Sequence, residues 1–286
     1  MTDLPHMNGK ICMVTGANAG IGQAVARGLA AVGATVVMVA RNRQRGEEAL
    51  DQLKVETGND AVHLLLADLS SQQSIREMVT NFKALFSRLD VLINNAGTIP
   101  SQRMTTVDGL EMQFAVNHLS YFLLTNLLLD TLKRSAPSRI INVTSQAHQG
   151  ATIHFDDLQT EQNYTPSRVY ARTKLANVLF TYELARRLEG TGVTVNCLHP
   201  GVIATKLAQN YTGHTGPLDK RPAGDSPEKG AETPLYLATA PELADVTGKY
   251  FVKKQQAKSS GVSYNGEIAQ RLWNVSAELT GLPVTT

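Results

Sequence analysis

Four polar side chains in this 286-residue sequence have types and spacings suited to moving a proton. Asn117 lies inside a strongly apolar run, FAVNHLSYFLL, and Ser145 closes another, IINVTS. Tyr170 and Lys174 are four residues apart in a stretch with helical periodicity, which puts them on one face. Each residue alone has an ordinary structural reading. A place for a partner group lies upstream, in Thr15-Gly16-Ala17-Asn18-Ala19-Gly20-Ile21-Gly22, between an apolar run and a helix pattern. Its G-x-x-x-G-x-G spacing differs from G-x-G-x-x-G, but the physics is similar. Gly16 permits a tight turn, and Gly20 and Gly22 let backbone and a pyrophosphate approach closely. The helix that follows offers free N–H groups and a positive dipole end to the anion, with Asn18 and Ile21 completing the loop. Loop and side chains together read as a proton-transfer site beside a bound dinucleotide.

The choice between the two nicotinamide dinucleotides is made where the second strand ends. An acid there binds the ribose 2′-OH of NAD. Thr35 to Gly46 contains no acid; Ala40 occupies the expected place and Arg41 follows. An arginine suits a 2′-phosphate through bidentate, charge-assisted bonding, so NADP is expected over NAD. Arg43 and Arg45 read as a solvated helix face. Asp68, past the third strand, suits the adenine amino group, with Leu69 supplying backbone contacts. Asp68 also suits the N-cap of the next helix.

These groups need a scaffold, and the chain alternates in a way that supplies one. Apolar, β-rich runs at Lys10–Thr15, Thr35–Ala40, Val62–Leu66, Val91–Asn94, Ile140–Val143 and Val193–Leu198 alternate with helical patterns. The helices are expected near Ala19–Val32, Asn42–Thr57, from Ser71 onward, Leu110–Arg134 and Ser167–Glu189. The Ser71 helix carries Ile75, Met78, Val79 and Phe82 at helical spacing. Several strands are continuously apolar, as when helices cover both faces of a sheet. The expected fold is α/β: a single doubly wound, Rossmann-type parallel sheet with helices on both faces, residues 1–286 forming one dinucleotide-binding oxidoreductase domain. Two segments break the rhythm, Gln146–Ser167 and 205–231. Both are candidate substrate-shaping elements, the second a loop or lid over the carboxyl edge of the sheet.

Composition excludes several classes. Hydrophobic residues are 42% and charged residues 18%, which argues against whole-chain disorder. A formal net charge of +2 is no field for nucleic acid. No apolar run reaches the ~18 residues of a membrane span, and MTDLPHMNGK has no signal-like apolar core. The two cysteines, Cys12 and Cys197, sit in strand-like runs and read as buried free thiols in a reducing compartment, so a cytoplasmic location is expected. No metal is expected, because His6, His63, His118, His154, His199 and His214 lack metal-ligand spacing, and no G-x-S-x-G hydrolase elbow is present. His148, three positions after Ser145, reads as a hydrogen-bonded loop residue.

With these motifs in hand, the chain resembles the short-chain dehydrogenase/reductase family over nearly its whole length. The resemblance rests on TGANAGIG at 15–22, NNAG at 94–97, Asn117, Ser145, YARTK at 170–174 and PGVIAT at 200–205. VNHLSYFLLT, VTSQAH, IHFDDLQ, KLANVLFTYELARRL and the tail TGKYF…SYN…AQRLW are similar to its retinol-dehydrogenase-like branch. The resemblance implies roles. Tyr170 exchanges a proton with the substrate oxygen, and Lys174 lowers the phenol pKa and holds the nicotinamide ribose. Ser145 hydrogen-bonds the substrate oxygen, and Asn117 positions a relay water behind Lys174. Asn95 and Ile203 contact the cofactor through backbone atoms, while Asn94 links neighbouring strands. A cation ~4 Å from the phenol, at an effective dielectric of ~20, is worth ~4 kcal/mol. That is roughly three pK units, enough to bring a phenol from ~10 to near 7.

The function expected is NADP(H)-dependent interconversion of an alcohol and a lipophilic carbonyl compound. The absence of an N-terminal anchor in this sequence favours a carbonyl reductase acting on a small-molecule substrate, with no membrane anchor. Two other readings share the scaffold: a catalytically silent, nucleotide-sensing interaction protein, and a light-driven tetrapyrrole reductase. Homo-oligomerisation through the helices around Tyr121–Leu132 and Leu175–Leu188 is a further expectation, although Phe122 and Leu179 equally suit an internal core.

Overall fold

The computed structural model describes residues 4–204, 207 and 224–284. Eight strands form one sheet in the order β3-β2-β1-β4-β5-β6-β7-β8. They are β1 (Ile11–Thr15), β2 (Thr35–Ala40), β3 (Val62–Leu66), β4 (Val91–Asn94), β5 (Ser138–Val143), β6 (Val193–His199), β7 (Lys249–Val252) and β8 (Gln255–Ala257). The first six lie where the apolar runs placed them. β1 to β7 pair in parallel, and β8 folds back antiparallel on β7. That hairpin adds one antiparallel edge strand to the expected parallel sheet. Its two-residue turn is Lys253-Lys254, both in the left-handed region at φ 50° and 65°. Such a turn ordinarily announces itself by Asn-Gly or Asp-Gly, and two lysines give no such signal.

The helices are α1 (Gly20–Ala31), α2 (Arg43–Thr57), α3 (Gln72–Leu85), α4 (Met112–Phe114), α5 (Ser120–Arg134), α6 (Pro166–Arg187), α7 (Pro227–Thr239) and α8 (Gly266–Leu279). Between α4 and α5 the helix passes through a π-turn at Ala115–Leu119 instead of continuing as one regular helix. Ser71 caps α3 by accepting the Ser74 N–H at 3.3 Å, and Ile75, Met78, Val79 and Phe82 are all buried beneath it.

Alternate residues of β1, β2 and β4 feed two separate cores. Cys12, Val14, Val36, Met38 and Ile93 pack with Val25 and Leu29 of α1 and Leu237 of α7. Met13, Val37, Val39 and Leu92 pack on the other face with Phe82, Phe122, Leu128 and Phe180. Both faces are covered, which explains why the strands read as continuously apolar. Phe122 and Leu179 are buried inside the chain itself. Cys12 and Cys197 are buried free thiols, and burial raises the pKa of both. Trp273 of α8 packs edge-on against Phe122 at 4.9 Å, tying the C-terminal helix to the second core. Among the described residues, no helix is long and apolar enough to cross a membrane.

β1 and β4 are neighbours whose onward connections run to opposite sides, so the sheet has its switch point between them. In such sheets the crevice beyond the carboxyl strand ends is where ligands bind. Of the 205–231 segment, residues 205–206 and 208–223 lie outside the described residues. The 146–167 insertion is held down by Arg172, which donates to the carbonyls of Asp157 (2.9 Å) and Leu158 (3.0 Å) and to Thr160 Oγ1.

Candidate active site

A cleft of about 720 Å³ opens at the switch point. Its lining includes Gly16, Asn18, Gly20, Ile21 and Gly22 from the loop after β1, Asn95 and Gly97 after β4, Val143 and Thr144 at the end of β5, and Tyr170 and Lys174 of α6. The loop is shaped by its own packing. Gly16 and Gly20 take φ 66° and 57°. A Cβ on Gly22 would stand 2.3 Å from the Gly16 carbonyl oxygen and 2.5 Å from Asn95 Nδ2. Gly22 is thus required by protein backbone, independently of any ligand. Asn95 Nδ2 donates to the Thr15 carbonyl at 2.9 Å, while Thr15 Oγ1 accepts from the Asn95 and Ala96 N–H groups at 2.9 and 3.1 Å. The two sides of the switch point are therefore bonded together.

The N-terminus of α1 differs from those of α2 and α3. Asn42 and Ser71 cap the latter two with side-chain oxygens. Ala19 has no side chain able to cap α1, and its first turn holds no acid. Backbone donors and the positive dipole end are thereby left for an anion in the cleft. The donors and the size of the cleft, which is within the range for organic ligands, fit a dinucleotide pyrophosphate.

Across the cleft, α6 presents Tyr170, Thr173, Lys174 and Asn177 as a stripe. Lys174 Nζ donates to the Val143 carbonyl at 2.9 Å. It lies 5.4 Å from the Tyr170 ring centroid and 5.7 Å from that of Tyr121. Burial lowers the Lys174 pKa to about 7, so this amine can hold or release a proton near neutrality. The Tyr121 hydroxyl donates to the Ala96 carbonyl at 2.8 Å, and burial raises its pKa well above that of an ordinary tyrosine. Tyr170, not Tyr121, is the phenol lining the cleft.

Asn117 is fully buried behind this lining. Its Oδ1 accepts the Thr98 N–H at 2.7 Å, and its Nδ2 donates to the Thr98 carbonyl at 3.0 Å and to Thr173 Oγ1 at 3.3 Å. The side chain therefore fastens the loop after β4 to α6. Ser145 is half-buried beside Thr144, and its Oγ accepts the Ala147 N–H at 3.2 Å. His148 is structural in its bonding: Nδ1 donates to the Ser145 carbonyl at 2.7 Å, and Nε2 accepts the Ser260 N–H at 3.1 Å. Asn94 Nδ2 donates to Asn142 Oδ1 at 2.9 Å across β4 and β5, the strand link expected of it.

Other expected residues lie off the lining. Arg41 is exposed, directly after β2. Asp68 Oδ1 accepts from the N–H and hydroxyl of Ser70 at 3.0 and 2.7 Å, so its local bonds stay within its own turn. The N-cap of α3 is Ser71, not Asp68. Leu69 packs against the second core, and Ile203 is buried near Gly230. One residue read as a solvated face lines the cleft instead: Arg45, with Glu48 and Gln52. Their i, i+3, i+7 spacing along α2 is the signal that could have shown a shared face. Arg43 is turned to Glu47, at 3.3 Å. Among the described residues, none of 146–165 lines the cleft, while Ala204, Leu207 and Pro227 stand at its edge.

Comparison with known proteins gives a consistent picture. Residues 10–215 match the short chain dehydrogenase family. Human retinol dehydrogenase 13 is 47% identical over 96% of this chain and 85% of its own length. Human retinol dehydrogenase 14 is 45% identical over 96% and 88%. Among solved structures, an uncharacterized protein from Mycobacterium paratuberculosis superposes with a TM-score of 0.82 at 33% identity, covering 99% of this chain and 98% of that one. The Pseudomonas aeruginosa RhlG/NADP active-site complex gives 0.68 at 30% identity, covering 88% and 97%.

Proposed function

The chain belongs to the short-chain dehydrogenase family, in its retinol-dehydrogenase-like branch, whose chemistry is oxidoreduction between alcohol and carbonyl groups; from that premise we propose an NADP(H)-dependent carbonyl reductase of lipophilic aldehydes and ketones, with Tyr170 as its acid–base group. The observation that carries the reading is that Tyr170 and Lys174 share one cleft with the uncapped end of α1. A bound nicotinamide supplies the hydride in reduction and accepts it in oxidation. The first-turn amides of α1 hold the pyrophosphate, and Asn95 and Ile203 flank it with backbone. Asp68 and Leu69 lie toward the adenine end. Arg41 and Arg45 grip the 2′-phosphate with charge-assisted bonds, in a stretch from Thr35 to Gly46 that carries no acid to repel it. A structural relative with an NADP complex supports that choice.

The remaining steps belong to side chains. Ser145 Oγ donates to the substrate oxygen as charge builds on it. Tyr170 gives that oxygen its phenolic proton, and Lys174 steadies the phenolate left behind. The Lys174 ammonium then returns a proton to Tyr170 and regains one from solvent along a relay that Asn117 helps to hold behind it. Relatives named retinol dehydrogenases favour a long, apolar substrate. The test follows NADPH absorbance with hexanal, decanal and all-trans-retinal, with NADH in parallel. We expect turnover that improves with chain length, and kcat/KM at least about tenfold higher with NADPH, as loss of a charge-assisted bond implies. No turnover of any of the three would sink the reductase reading, and a preference for NADH would sink the NADP assignment alone.

A further inference from the structure

The segment that carries Asn117 is not held by its own helix alone. At the π-turn, regular i to i+4 bonding gives way; the Ser120 N–H bonds the Ala115 carbonyl five residues back. Two further carbonyls of this turn receive side-chain donors. Ser120 Oγ donates to the Val116 carbonyl at 2.6 Å, and Asn177 Nδ2 donates to the Asn117 carbonyl at 2.7 Å. Asn177 is on α6, three residues beyond Lys174.

Each remaining bond in this chain then has one allowed direction. Because the Asn177 amide nitrogen faces Asn117, its Oδ1 is the atom meeting His118 Nδ1, at 3.1 Å. An oxygen accepts, so His118 Nδ1 carries the hydrogen. His118 Nε2 is therefore the acceptor, and the Ser276 hydroxyl on α8 donates to it at 2.9 Å. Asn117, His118, Asn177 and Ser276 all have 0% exposure. A fully bonded polar chain without access to water fixes its members in one arrangement. Burial lowers the His118 pKa to about 4, which keeps the ring in the neutral form this wiring needs.

We propose that His118 is a positioning residue for proton transfer: with Asn177 and Ser276 it makes the C-terminal helix α8 a working support of Asn117 and of the Tyr170–Lys174 stripe. The inference rests on the reading that Tyr170 and Lys174 carry the acid–base step. Its mechanical logic is short. Ser276 orients the His118 ring, the ring orients the Asn177 amide, and the amide holds the Asn117 carbonyl. The Asn117 side chain then holds both Thr98, next to the cleft wall, and Thr173, between the two reacting side chains. Loosening any link lets Asn117 and α6 shift relative to each other without removing any group that touches substrate.

The test combines a direct view of the wiring with kinetics. Long-range ¹⁵N–¹H NMR of the whole protein, with the His118 signal assigned by its loss in His118→Gln, reads the tautomer. We expect hydrogen on Nδ1; hydrogen on Nε2 would turn the Asn177 amide nitrogen to His118, take the donor away from the Asn117 carbonyl and overturn the proposal. In the NADPH assay, with the fastest aldehyde of the panel, His118→Leu should lower kcat about tenfold or more, as small misplacements of reacting groups do. NADPH affinity, measured by fluorescence titration, should stay within about threefold. His118→Gln, which can donate from nitrogen and accept at oxygen, should restore most of kcat. Asn177→Leu added to His118→Leu should cost little more than either alone, because both break one chain. If His118→Leu does not fold, Ser276→Ala, which removes one hydroxyl, takes its place and should lower kcat measurably. Unchanged kcat in a folded variant, failure of Gln to restore it, or fully additive losses would each overturn the proposal. Tyr170→Phe serves as the separate control: if that variant stays active, the acid–base reading has failed, whatever His118 does.

Discussion

The α6 stripe and the outer face of α2 flank the same cleft and are built in opposite ways. On α6, Thr173 and Asn177 are fully buried and Lys174 is 2% exposed, each bonded to other parts of the chain. On α2 and the strand end before it, Arg41, Arg43 and Arg45 are all exposed, and the ion pair of Arg43 with Glu47 lies in solvent. Under the proposed function, the physics of each task explains the contrast. Moving a proton calls for shifted pKa values and fixed distances, which burial and a closed bonding network supply. Selecting a phosphate calls for full charges ready to bond, which solvent-exposed arginines keep at little cost to the fold. Changes on α6 should therefore strike rate and stability, and changes on α2 should strike cofactor choice.

The largest effect expected is on Tyr170. Tyr170→Phe removes only the acidic hydroxyl and should lower kcat by about 10²- to 10⁴-fold, the usual contribution of general acid catalysis. NADPH affinity should change little, because α1 and the arginines are untouched. A rate above about a tenth of wild type would break the contrast at its strongest point.

Next comes acid sensitivity. His118 and His199 both have pKa values lowered to about 4, mainly by burial. A histidine whose folded pKa lies below its unfolded value contributes stability above the unfolded pKa. That contribution is lost as pH falls through the window between them. For His118 the window runs from 6.5 down to about 4. Its loss should be about 2 kcal/mol by pH 5 and on the order of 3 kcal/mol lower down. The fall in urea midpoint from pH 7 to pH 5 should be smaller in His118→Gln than in wild type. Equal pH dependence in the two would show that the ring is not neutral in the fold. Arg41→Ala and Arg45→Ala should leave this dependence as it is in wild type.

The smallest effect belongs to the arginines taken singly. Arg41→Ala or Arg45→Ala should reduce kcat/KM for NADPH by about 10- to 100-fold, the equivalent of one charge-assisted bond. A loss from Arg45→Ala as large as that from Arg41→Ala would sharpen the picture of two phosphate contacts. No loss would return Arg45 to a plain surface role.

Where the sequence was legible, the signal was local. The glycine loop, the six apolar strands and the Tyr170–Lys174 spacing each sit within a few residues, and residue type and short-range spacing carry them. Three features escaped because their causes are not local. The β7–β8 hairpin turns on two lysines in a left-handed conformation, with no glycine or asparagine to mark it. The π-turn interrupts FAVNHLSYFLL without breaking its apolar pattern; the donors to its carbonyls include Asn177, sixty residues away. Arg45 reads as one more charge on a polar helix until α2 is seen to edge the cleft. Asn117 stood out in the sequence as a polar residue in an apolar run, but its partners Thr98 and Thr173 could not be read from that contrast.

The separation of the two regions is tested most directly in the double variant Arg41→Ala/Arg45→Ala, by the ratio of kcat/KM with NADPH to that with NADH. The account predicts that the ratio collapses toward one because the NADPH value falls by about 10²-fold or more, while the NADH value, with no 2′-phosphate to lose, holds within about twofold. Equal losses with both cofactors would contradict it, showing that the α2 face supports the reacting stripe instead of choosing the cofactor.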